Sequence, residues 1–65
     1  MSQVELTKIV KRIIDSLKND LISDYGLTSS EIDKLIKDSD IERSIRKYTD
    51  VFMHMTKSQR LDCIL

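Results

Sequence analysis

Ser39 to Thr56, SDIERSIRKYTDVFMHMT, is the stretch on which the reading of the fold turns. Ser39 followed three residues later by Glu42 has the form of a capping box, in which a hydroxyl takes an orphan backbone N–H and the carboxylate reaches back to the cap. Beyond it, Ile41, Ile45, Tyr48, Phe52 and Met55 recur at helical spacing, with Val51 at the edge of the stripe. Arg43, Arg46, Lys47, Asp50 and His54 fall on the other side. The pattern predicts one amphipathic helix whose apolar stripe enters a core. The same stretch holds the chain's only His and only Phe, and both Met residues beyond Met1.

Upstream, Leu6, Ile9, Val10, Ile13, Ile14, Leu17 and Leu21 share one broad face, and Lys8, Lys11, Arg12, Asp15, Lys18 and Asn19 the opposite one. This predicts a long first helix over Gln3–Asp24. Tyr25-Gly26 ends it, because Gly adopts the left-handed conformation past a helix C-terminus without a Cβ clash. A short second helix over Ser29–Lys37 turns Ile32, Leu35 and Ile36 inward and is held by packing rather than by its own propensity. Asp38-Ser39-Asp40 breaks the apolar pattern with residues that favour turns, so the second and third helices meet at a tight corner. With no Pro and a single Gly, caps carry the segmentation. Besides Ser39-Glu42, Ser2-Glu5, Thr28-Glu31 and Thr56-Gln59 have the box spacing, and the last opens a short C-terminal element, Lys57–Leu65, that closes the core with Leu61, Ile64 and Leu65. The expectation is a single all-α domain over 1–65, with long, short and medium helices and a short C-terminal element.

A chain of 65 residues with 40% hydrophobic and 34% charged residues supports one folded domain. At this size only about 60% of the unfolded chain's surface is hidden on folding, so a partner or a second copy is expected. The first helix offers more apolar width than two short helices cover, which points to a homodimer through it. Eleven basic and eleven acidic residues cancel. No long-range field then draws the chain to nucleic acid or to an anionic membrane. The N-terminus lacks a signal-peptide layout, no apolar run approaches the ~20 residues of a membrane span, and the polar face of the first helix mixes acidic with basic groups, so a cytoplasmic protein off the membrane is expected. Cys63, the one cysteine, reads as a small buried hydrophobe in the tail.

Chemistry-bearing groups are few. Asp50 stands four residues before His54, so on a helix the carboxylate and imidazole can meet. A general base needs a nucleophile or substrate beside it and a metal needs more ligands than this pair, so it reads as a solvated helix pair. No phosphate-binding Gly loop, nucleophile elbow or zinc-spaced cluster occurs in the sequence. Neither a catalytic residue nor a cofactor is assigned. Met53 falls on the charged side of its helix, where a flexible thioether suits a contact surface. Leu27–Val51 also has the outline of a helix-turn-helix, with Arg43, Arg46 and Lys47 on its second helix. Asp33, Asp40 and Glu42 dilute that basic charge, which leaves DNA binding as the alternative.

The segment Leu27–Leu65 resembles a group of short bacterial helical proteins classed as a domain of unknown function. The resemblance lies in a capped helix followed by Ile41, Ile45, Tyr48, Asp50, Val51, His54, Asp62 and Ile64. Met55 after His54, and Arg60 in the tail, depart from its outline. The family resemblance implies a small helical accessory protein, some of whose relatives occur beside ADP-ribosyltransferase-like toxins, and hence a toxin-like enzyme as partner. Taken together, the sequence leads to a non-enzymatic, antitoxin-like protein-binding regulator that presents Arg43, Arg46, Lys47, Asp50, Met53 and His54 to another protein.

Overall fold

A computed structural model of the chain describes residues 3–65. It is all-α, with five helices: α1 (Gln3–Tyr25), α2 (Ser29–Ser39), α3 (Ile41–Lys47), α4 (Thr49–His54) and α5 (Lys57–Ile64). The long dimension of the molecule, 35 Å, matches the 23 residues of α1 at a rise of about 1.5 Å each. α1 is the spine, with α3, α4 and α5 packed along it, while α2 packs on α3 and α5.

The apolar face expected of α1 is the one it buries. Val10, Ile13, Leu17 and Leu21 join Ile32, Ile41, Ile45, Phe52, Leu61 and Ile64 in one core, and Leu6, Ile9 and Ile14 pack partly against it. α1 ends as predicted at Gly26, whose φ of 65° is left-handed, with its N–H donating to the Ile22 carbonyl at 3.0 Å. The Thr28-Glu31 and Thr56-Gln59 boxes are both formed, hydroxyl to backbone and side chain back to cap. Ser2, and with it the Ser2-Glu5 box, lies outside the described residues.

The Ser39-Glu42 box does not form. Ser39 is the last residue of α2, and its hydroxyl donates backward to the Ile36 carbonyl at 3.3 Å. Asp40 alone makes the corner, with φ 52° and ψ 35°, a left-handed geometry that the short polar Asp side chain tolerates better than most. Its N–H donates to the Lys37 carbonyl to end α2, and its own carbonyl accepts from Ser44 to begin α3.

The third predicted helix is two helices. Thr49 donates its hydroxyl to the Ile45 carbonyl at 2.8 Å and to the Arg46 carbonyl at 3.2 Å. Those are the two acceptors that an uninterrupted helix would offer to the N–H groups of Thr49 and Asp50. A hydroxyl that bonds back to the preceding turn in this way bends a helix. The backbone breaks at Tyr48 (φ −122°, ψ 44°), so Tyr48 swings out of the stripe to 52% exposure and Thr49 takes its place inside, 8% exposed. Ile41, Ile45 and Phe52 keep their core positions and Met55 is partly buried. In the tail, Leu61 and Ile64 are buried as expected, but Leu65 and Cys63 are exposed. Cys63 faces away from Leu61 on the turn of α5 and Leu65 caps the helix beyond its last turn, so the readings of Cys63 as a buried hydrophobe and of Leu65 as part of the core are corrected.

Candidate functional site

All six residues singled out for partner binding are exposed, yet they do not line one straight helix. The break at Tyr48 divides them: Arg43, Arg46 and Lys47 stand on α3, and Asp50, Met53 and His54 on α4. On α3 the arginines are engaged by carboxylates of their own segment. Arg46 Nη2 donates to Glu42 Oε1 at 3.3 Å, and Arg43 Nη1 lies 3.9 Å from Asp40 Oδ2. Glu42, freed from the missing capping box, is thus an i,i+4 ion-pair partner instead. Lys47 Nζ sits 5.4 Å from the centroid of the Tyr48 ring, within cation–π range.

On α4, the helix buries Thr49 and Phe52 and turns outward an arc formed by Asp50 and His54, flanked by Val51 and Met53. The His54 ring is fixed, though not by the Asp50 carboxylate that the spacing suggested. Its Nδ1 lies 2.8 Å from the Asp50 backbone carbonyl. A carbonyl only accepts, so Nδ1 carries the hydrogen and Nε2 is left as the exposed acceptor. The pair therefore lacks the carboxylate-to-imidazole geometry of a general base. Among the described residues, no three His, Cys, Asp or Glu side chains gather within reach of a metal ion.

Val51 sits between two shallow depressions. One, on the α1 side, is bordered by Leu6, Lys47, Tyr48 and Asp50, and the other, toward α5, by His54, Met55, Asp62 and Cys63. Met53 faces a third, where α1, α4 and α5 converge, lined by Ile9, Arg12, Ile13, Met53 and Arg60. The Nε of Arg60 is shielded from solvent and has no hydrogen-bond partner. Leaving such a donor unpaired costs about 1–3 kcal/mol. Arg12, Arg60 and Val51 were not among the residues expected at a site. Val51 was legible as the edge of the apolar stripe. Arg12 and Arg60 stand 48 positions apart in the sequence and meet only through the packing of α5 on α1.

Away from this surface, Lys57 Nζ and Asp24 Oδ2 pair at 2.8 Å, tying the start of α5 to the end of α1. The hydrogen bond to Asp24 raises the Lys57 ammonium above its ordinary value. Of the apolar side chains on α1, Val4, Ile22 and Tyr25 remain exposed. Val4 and Ile22 fall on one line of the helix about 27 Å apart, with Lys11, Asp15 and Lys18 between them. No helix among the described residues is long and apolar enough to cross a membrane. No protein-family model, curated protein or solved structure matches the chain.

Proposed function

We propose that this chain is a non-enzymatic protein-binding regulator of antitoxin type, and that the outer surface of α3 and α4 is its contact face. What carries the reading is the exposure of Tyr48, Val51 and Met53 around a helix whose inner side is already filled by Thr49 and Phe52. Large apolar side chains set among Arg46, Lys47, Asp50 and His54 have the composition of an interface, an apolar centre with a polar rim. The partner class, a toxin-like enzyme, comes from the resemblance of Leu27–Leu65 to accessory proteins found beside ADP-ribosyltransferase-like toxins.

Affinity purification of the tagged full chain from its native cells, followed by mass spectrometry, tests the reading. The expected result is one protein recovered in near-equal amount by the wild type and lost with Val51→Asp. Recovery of the chain only as a free homo-oligomer would count against it, and would favour self-association through α1 instead.

A helix-turn-helix stands as the alternative on the same basic residues, and the geometry lends it little. The corner between α2 and α3 is a single residue, Asp40, shorter than the three- or four-residue turn of that motif, and both arginines of α3 lie beside carboxylates. Phosphate contacts make binding fall steeply with salt, so a gel shift that is present at low salt and lost at high salt would support the alternative over a protein partner.

A further inference from the structure

We infer that the groove between α1, α4 and α5 is the docking point for an acidic amphipathic segment of a partner protein, one that sets an apolar side chain on Ile9, Ile13 and Met53 and pairs its carboxylates with Arg12 and Arg60. The inference rests on the protein-binding reading above and names the chemistry of the partner. Three observations converge on it. The floor of the groove is apolar, and Met53, a flexible side chain able to follow a partner's surface, is half exposed there. The two cations at the groove are open to a partner: among the described residues Arg12 and Arg60, like Lys8, Lys11, Lys18, Lys34 and Lys37, have no ion pair, but it is these two that border the apolar floor where α1, α4 and α5 converge. Finally, the Arg60 Nε–H is held out of water with no acceptor, so a guanidinium that turns outward to a partner's carboxylate gains a bond its resting position lacks.

A carboxylate meets a guanidinium through two parallel N–H···O bonds, and one of the two donors in the side-on form is Nε–H. An apolar side chain between two such pairs would remove water from both. Acidic groups on either side of a hydrophobic residue are therefore the complementary pattern. An inorganic anion would engage the cations and gain nothing from Ile9, Ile13 and Met53.

The test uses the full chain, isotope-labelled for amide NMR, and a synthetic helical peptide carrying a Leu stripe flanked by Glu. A matched peptide with Lys in place of Glu is the control. The Glu peptide is expected to move the signals of Ile9, Arg12, Ile13, Met53 and Arg60, and the Lys peptide to leave them in place. The double variant Arg12→Gln, Arg60→Gln, checked by thermal melt to be folded, is expected to bind about tenfold more weakly or worse. Arg60→Lys keeps the charge but lacks Nε–H, and is expected to weaken binding as well. Wild-type affinity in both variants overturns the inference. So does movement confined to signals around Val51 and His54, displacement of the peptide by inorganic phosphate or duplex DNA, or self-association that the double variant abolishes. If the double variant still captures the native partner at full yield, the protein-binding reading survives and the groove does not.

Discussion

α1 runs for 23 residues without a break, whereas the chain from Ser39 to Thr56 turns a corner at Asp40 and breaks again at Tyr48. Both regions have apolar residues at helical spacing and both contain hydroxyl side chains. Thr7 and Ser23 of α1 are exposed and, among the described residues, make no hydrogen bond back to their helix. Thr49 is buried and bonds to two carbonyls. A hydroxyl in water is satisfied by water, but one enclosed among Ile45 and Phe52 must find a protein acceptor, and the nearest are the carbonyls of the preceding turn. Among the described residues the one Thr buried within a helical stretch stands at the break, while Ser39, exposed at the end of α2, also bonds backward but ends its helix rather than interrupting one.

The strongest way to break this comparison is to attack the continuous region. Leu17 is 1% exposed on the spine, and Leu17→Asp would bury a carboxylate with no partner. The penalty, about 4 kcal/mol or more, is comparable with the whole stability of about 3–10 kcal/mol expected at this length. The variant should show no cooperative thermal transition by circular dichroism, and a normal melt would refute the assignment of α1 as the spine.

Thr49→Val sharpens the comparison, because it keeps the shape and removes the hydroxyl. It should cost about 1 kcal/mol and move the Tyr48 Cα shift toward helical values as the Ile45 and Arg46 carbonyls become free to accept from the backbone. A Tyr48 that stayed non-helical would mean that packing on α1, not the hydroxyl, sets the break.

Thr28→Ala removes a formed capping box and should cost about 1 kcal/mol, read as a lower Tm. The same box carries a pH signature. The backbone N–H of Thr28, and then its hydroxyl, hold the Glu31 carboxyl below its ordinary 4.5. The folded value is thus below the unfolded one, so this contribution is complete above 4.5 and is lost as pH falls through the folded value. Between about pH 5 and pH 3 the wild type should lose more Tm than Glu31→Gln, which keeps a residue able to complete the box. Equal losses would show that the box contributes nothing to the acid response. The smallest effect should come from His54→Ala, on the exposed arc of α4, with a change within about 0.5 kcal/mol.

Much of the fold was legible because local rules and packing agree along most of the chain. The periodic face of α1 is its buried face, Gly26 ends it, and two capping boxes open α2 and α5 as their spacing indicated. Apart from the exposed Cys63 and Leu65 of the tail, disagreement falls where a side chain had a choice of acceptor. Ser39 could cap forward or bond backward, and Thr49 could face water or the core; spacing does not distinguish these outcomes. On the surface of α3 and α4 the six residues placed outward by the wheel are exposed, but Tyr48, which the wheel places inward, is exposed as well and Thr49 is buried in its stead. The groove at Arg12 and Arg60 was not legible, because it exists only once α5 lies on α1, and no local pattern encodes that juxtaposition.

The order in which α1 meets its neighbours has a consequence for the chain while it is being made. α1 is made before every element that covers it: Ile32 of α2 joins Val10, Ile13, Leu17 and Leu21 in the core, and the helices packed along α1 begin with Ile41 and end with Ile64. At about 5–20 residues per second, roughly 2–8 seconds separate the addition of Tyr25 from that of Ile64, and the core around α1 cannot be complete before then. The fold therefore closes only with its last helix in place, and a chain cut short before Leu61 leaves the apolar stripe of α1 incompletely covered.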